Sequence, residues 1–283
     1  NPRPRRTRVP PDAAGTATGP SGVHGDSNRV RVVKFGGSSL AGSGRFEAAV
    51  DHIASLRASG VRPVVVTSAL GGTTDRLLEL ARRTGADRSP RELDAILATG
   101  ETAAAALFAG SLEGRGIAAQ SVGAATLGLH TDHRHGTATI REFDPSRLLR
   151  ALDDGIVPIV AGFQGVAPDG ATTTLGRGGS DTTAIACAVA LGQAFGISIE
   201  CDLLTDVPGL HTRDPNLERR FGLESSGRSG LHTAPRPIKS LSHAEMLRLA
   251  EAGSRLVAPA AARLAATHDV PIHIARAATP DQG

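Results

Sequence analysis

Residues Thr172 to Asp181 read TTTLGRGGSD and lead into an Ala-rich, helix-forming stretch. Gly176, Gly178 and Gly179 let the backbone approach a ligand closely, and Arg177 among them supplies a fixed positive charge. A loop of bare N–H groups that ends at a helix N-terminus attracts anions. The planar donors of a guanidinium suit a carboxylate or a phosphate. Ser180 or Asp181 is placed to cap the helix, and Asp181 has a second reading as a carboxylate set beside reacting oxygen atoms. A capped turn alone would need neither the arginine nor so many glycines.

A second glycine loop makes the same case. Arg29 to Gly37 reads RVRVVKFGG, a β-type run that ends in Lys34, Gly36 and Gly37 and is followed by Ser38 and Ser39. Of 31 basic residues only Lys34 and Lys239 are lysines, so a compact ammonium at the end of this strand points to phosphate. No GxxxxGK precedes a Ser or Thr, and the third glycine of a GxGxxG pattern starting at Gly176 is replaced by Asp181. Together the loops suggest phosphoryl transfer outside the P-loop and Rossmann classes. Glu101 stands in a helical run and is followed by TAAAAL, a small-residue face that reads as buried. A charge there needs a partner.

The elements that must hold these groups alternate along the chain. Strands are expected at 30–35, 63–68, 119–122, 156–161, 197–204 and 271–274, and helices at 45–59, 75–84, 92–113, 182–191 and 242–268. Apolar β-branched strands separated by amphipathic helices indicate a mostly parallel sheet covered on both faces, an α/β/α sandwich. Glycines fall at the carboxyl ends of strands, as in Gly36–Gly37, Gly71–Gly72 and Gly162, the edge where open α/β sheets bind ligands. Residues 217–237 show no period and read as a long mobile loop, a candidate flap.

Composition excludes other classes. Tyr and Trp are absent, which leaves little with which to stack nucleic-acid bases. The net charge is +3, of which the segment 1–28, with Arg3, Arg5, Arg6 and Arg8 against Asp12 and Asp26, carries +2. A nearly neutral body offers no basic face to nucleic acid. The Pro-, Gly-, Ala- and Arg-rich segment 1–28 is expected to be disordered. No signal-peptide pattern or bilayer-length apolar run is read, so a cytoplasmic protein is expected. Cys187 and Cys201 lack CxxC spacing and read as small buried hydrophobes. His130, His133 and His135 form HxxHxH in a polar loop without an organised set of further ligands, so no protein-held metal site is expected.

Taken together, the motifs resemble the aspartokinases of the amino acid kinase family. The matching segments run in the family's order: KFGGSSLA (34–41), VVVTSALGGTTD (64–75), ATGE (98–101), HRHG (133–136), VAGFQG (160–165), TTTLGRGGSDTTA (172–184), TDVPGLHTRDP (205–215) and LSHAEMLRLAEAGSRLV (241–257). The resemblance implies a kinase domain over 29–283, with an amino-acid lobe at 29–165 and a nucleotide lobe at 166–283. It implies aspartate and ATP as substrates and Mg²⁺ as cofactor. By the resemblance, Lys34 contacts ATP phosphate and Asp181 lies beside the attacking carboxylate. Arg177 and Glu101 hold the α-carboxylate and α-amino groups, with Ser68, Thr74, Phe163, Thr174 and Ser180 lining the same pocket. The nucleotide falls to Gly36, Gly37, Ser38, Thr205, Asp206, His211, Asp214 and Arg255.

Departures cluster on the nucleotide side. His211 stands where the family usually has Tyr, Asn216 where it often has Arg, Arg255 for Lys, and Ala258–Pro259 for His-Pro; Thr126 replaces a Gln elsewhere. Retained activity with altered ATP affinity is expected. No ACT domain is read, so the expectation is no lysine or threonine feedback, a homodimer, and room for a separate regulatory subunit. Two alternatives stay open: a kinase acting on another amino acid or an aspartate analogue in a specialised pathway, and a non-catalytic nucleotide or amino-acid sensor.

Overall fold

The computed structural model describes residues 29–206, 209–211, 236–254 and 256–277. The expected disordered segment 1–28, most of the loop expected at 217–237, and Asp214, Asn216 and Arg255 lie outside them. The chain starts with β1 (Val30–Phe35), α1 (Ser43–Ala58), β2 (Arg62–Thr67), α2 (Thr73–Thr84), α3 (Pro90–Glu113) and β3 (Ala119–Val122). Then follow α4 (Ala124–Leu127), β4 (Leu129–Thr131), β5 (Ile140–Phe143), α5 (Ser146–Asp153), β6 (Val157–Ala161), β7 (Gln164–Val166) and β8 (Thr172–Thr174). It continues through α6 (Gly179–Phe195), β9 (Cys201–Thr205), α7 (His243–Glu251), α8 (Pro259–His268) and β10 (Ile272–Arg276).

Six strands form one parallel sheet in the order β10-β9-β1-β2-β6-β3. Alternate side chains of its strands enter two cores, because successive residues of a strand point to opposite faces. Val33, Phe35 and Val65 pack with Ile53 of α1 and Phe108 and Leu112 of α3. Val32, Val64 and Val160 pack on the other face with Leu148 of α5, Ile185 and Leu191 of α6, and Ala261 of α8. Complete burial of a side chain such as Phe108 or Ile185 contributes about 1.5–3 kcal/mol.

A second sheet, β5-β4-β7-β8, mixes antiparallel and parallel pairs. Its strands have only three or four residues, too few for a period to stand out in the sequence, and they were not expected. It carries Thr174 to the flank of α3. That helix begins at Pro90 after Ser89, whose hydroxyl accepts from Glu92 N–H. By length and composition α3 could cross a membrane, yet it is a core helix whose inward face buries Asp94 and Glu101 as well as Phe108 and Leu112.

Two expected elements differ. The strand expected at 197–204 begins only at Cys201, after a loop in which Gly196 is left-handed and Ile199 drops into the core. The helix expected over 242–268 is two helices: the first ends at Glu251, Gly253 follows with φ +97°, and Pro259 opens the second. Apolar spacing continues across the break because both helices face the same core, so periodicity alone hides it.

Candidate active site

The carboxyl ends of β1, β2 and β6 open onto a cavity of about 640 Å³. At its floor Lys34 Nζ lies 2.6 Å from Asp181 Oδ1, each side chain 13% exposed. Lys34 is the last residue but one of β1, and Asp181 stands in the first turn of α6. The pair therefore ties the first strand of the sheet to the helix after the glycine loop. The N-cap of α6 is Gly178, with no side-chain cap, so neither Ser180 nor Asp181 caps the helix as expected. Only a glycine fits there: its φ is +69°, and a Cβ would lie 2.1 Å from that of Ala258. Gly37 is constrained by space instead, since a Cβ would stand 2.8 Å from the Ala69 carbonyl.

Glu101 projects from α3 and is 4% exposed. Its Oε1 accepts from Ala69 N–H at 3.1 Å, whereas Oε2 is buried with no hydrogen-bond partner among the described residues. Burial pushes its carboxyl up to about 7, against the smaller opposing effect of the Ala69 hydrogen bond. Among the described residues no cation pairs with this carboxyl group. Across the same space Arg177 is exposed and has no ion pair among the described residues.

Ser38, Ser68, Thr74, Phe163, Thr174 and Ser180 also line the cavity. Phe163 holds φ +71°, costly for a large side chain, and is fixed by Thr183 Oγ1, which accepts from its N–H at 3.0 Å. The amino ends of α2 and α6 open into the cavity and place partial positive charge there. Lys34, Gly37 and Asp181 complete the set the sequence assembled.

The remaining expected residues that are described do not line this cavity. Gly36 is beside Lys34, its N–H donating to the Leu204 carbonyl at 3.2 Å. Thr205 and Asp206 line a separate space of about 340 Å³ with Ser39, Arg45 and Arg276. His211 pairs with Pro237 in an isolated bridge, next to Leu210 in an apolar groove of about 360 Å³.

Residues 29–225 match the amino acid kinase family. The chain belongs to that family. It is 39% identical over 252 residues to an aspartokinase of Geobacillus stearothermophilus, covering 89% of this chain and 57% of that enzyme. Among solved structures it resembles Escherichia coli aspartokinase III in complex with aspartate and ADP, with TM-score 0.71 and 28% identity over 90% of this chain and 63% of the other. Aspartate kinase from Synechocystis gives TM-score 0.71 and 33% identity, covering 88% and 38% respectively. The chain spans little more than half the length of such sequence relatives.

Within this amino acid kinase fold the buried carboxylate of Asp94 lines the cavity and is not among the residues expected from the sequence. Asp94, 1% exposed, sits on the inward face of α3 and accepts from Thr174, Gly136 and His135. The available signal was an Asp on the buried side of the helix about two turns before Glu101. His135, part of both HxxHxH and the HRHG segment, is thus a partner of Asp94, with its Nδ1 2.9 Å from Asp94 Oδ2.

Proposed function

We propose that this chain is the catalytic unit of an ATP-dependent aspartate kinase, moving the γ-phosphoryl group of ATP to the side-chain carboxylate of L-aspartate. The product is 4-phospho-L-aspartate. The observation that carries the reading is the unpartnered Oε2 of Glu101, buried in the cavity that also holds Arg177 and the Lys34–Asp181 pair. An α-ammonium supplies the missing partner and favours the ionised carboxylate. Arg177 takes the α-carboxylate with two parallel donors. The remaining carboxylate of the substrate is left to face Lys34. The likeness to a structure that contains aspartate and ADP supports the same choice.

The substrate carboxylate is ionised at neutral pH and attacks without a general base. One of its oxygens bonds to the γ-phosphorus while the bond to the bridging oxygen breaks and ADP leaves. Catalysis then rests on placing the two reactants in line and on neutralising charge that spreads over the phosphoryl oxygens. Lys34 supplies the cation, and Asp181 holds its ammonium in place. Backbone N–H groups of Gly37 and Ser38 and of Ser180 and Asp181 in the first turn of α6 add fixed donors.

Among the described residues no group of three or more His, Cys, Asp or Glu side chains could hold a metal ion. Mg²⁺ keeps several waters and binds mainly through substrate phosphates with one or two carboxylates. Asp181 is the cavity carboxylate nearest Lys34 and would serve the ion; Mg²⁺ bound there would offset phosphate charge.

The test is acyl-phosphate trapping with Mg-ATP, hydroxylamine and a panel of amino acids and carboxylates. Aspartyl hydroxamate that disappears in Lys34→Ala is the expected result. Hydroxamate from a different acid would overturn the substrate, and none from any acid by folded protein would overturn the activity.

A further inference from the structure

Asp94 is saturated where Glu101 is not. Its Oδ1 accepts from Thr174 Oγ1 at 2.6 Å, and its Oδ2 from Thr174 N–H at 3.0 Å and His135 Nδ1 at 2.9 Å. Gly136 N–H is shared between the two oxygens, at 3.1 and 3.0 Å. A carboxylate can only accept, so the Thr174 hydroxyl has committed its single hydrogen to Asp94. What Thr174 Oγ1 then offers the cavity it lines is lone pairs alone.

The same carboxylate holds Gly136 behind the arginine loop. A Cβ on Gly176 would meet the Gly136 carbonyl at 3.1 Å, so the two backbones are in contact next to Arg177. One buried side chain therefore joins α3, β8 and the 132–137 loop, and sets the hydrogen-bond polarity of a group in the substrate cavity.

Resting on the carboxylate-kinase reading, we propose that Asp94 is a positioning residue that makes Thr174 an obligate hydrogen-bond acceptor, so that the site selects acids bearing an ammonium group. Thr174 and Glu101 form the acceptor side of the cavity and Arg177 the donor side. A ligand that presents an anion to Thr174 meets a hydroxyl that cannot turn to donate.

The decisive substitution is Asp94→Asn. Its carbonyl can still accept from the backbone N–H groups, while its amide donates to Thr174 Oγ1 and frees the hydroxyl hydrogen to point into the cavity. Dissociation constants for aspartate and for ADP, measured by calorimetry, read the effect without turnover. Aspartate binding should weaken about ten- to hundredfold, the range for a hydrogen bond to a charged group, with ADP binding held within about threefold. In the Thr174→Val background, Asp94→Asn should have little further effect on aspartate. Equal loss of both ligands, or an undiminished effect in that background, would overturn the proposal. Should Asp94→Asn fail to fold, Thr174→Val alone must weaken aspartate by the same factor, and unchanged affinity would overturn it. Wild-type protein that binds no aspartate at all is a separate result, and it removes the kinase reading.

Discussion

The Lys34 ammonium rests 2.6 Å from Asp181 Oδ1, so the only lysine of the sheet is bound to the helix that follows the glycine loop. Two elements 147 positions apart in the chain thereby fix one cation at the cavity floor. A free lysine would have to be ordered at each turnover, at a cost in side-chain entropy. Here it is already placed.

Replacing either partner should separate charge from placement. Lys34→Ala removes a donor aimed at the transferring group and is expected to lower kcat by roughly 10²–10³-fold. Asp181→Asn keeps the shape but releases the ammonium, and a smaller loss, mainly in kcat, is expected. Steady-state kinetics on both variants checks this. Asp181→Asn with wild-type kcat would show that the pair does not position Lys34.

Glu101 makes the site pH-sensitive. Its carboxyl is raised to about 7 by burial, so below that pH the unliganded protein holds it neutral. Aspartate binding, which needs the anion, should weaken as pH falls below about 7, and KM should rise. Glu101→Gln should raise KM and flatten that limb of the profile. For stability the sign is reversed: the folded state binds the proton more tightly than the unfolded chain, so stability is full below the unfolded pKa and is lost as pH rises through about 7. Melting temperatures of wild type and Glu101→Gln should therefore lie close together at low pH and separate in favour of the variant as pH rises through about 7. A KM independent of pH between 5.5 and 8, roughly one to two units either side of that pKa, would count against the assignment.

Gly178→Ala tests the turn that starts α6. A left-handed alanine costs about 1–2 kcal/mol before the contact with Ala258 is counted. Both stability and aspartate affinity should drop, because Arg177 and Asp181 flank the position. An unchanged melting temperature would mean that the loop can be rebuilt at no cost.

Phe108→Ala tests the core on the α1–α3 face. Phe108 is fully buried, with its ring centroid 5.5 Å from that of Phe35. Loss of about 3–5 kcal/mol is expected, with catalytic constants of the folded fraction near wild type. Denaturant titration measures the first and active-site-normalised kinetics the second.

The strand at 30–35 was legible to the residue because its β-branched run ends at Gly36 and Gly37, and 119–122 matches its expected bounds although only Val122 in it is β-branched. Lys34, Arg177 and Asp181 were legible through residue type and loop composition. The second sheet was not, since three-residue strands carry no period, and the break between α7 and α8 was masked by continuous apolar spacing.

By itself the sequence determined the α/β/α class, the two glycine loops and the identity of most groups in the cavity, because periodicity and glycine placement are local properties of the chain. The tertiary structure decided what those groups do to one another. That Asp181 grips Lys34 rather than capping α6, that Glu101 keeps a bare oxygen, and that Asp94 takes the hydrogen of Thr174 are contacts between residues far apart in the chain. Burial and hydrogen-bond partners belong to the packed molecule, and no spacing along the chain encodes them.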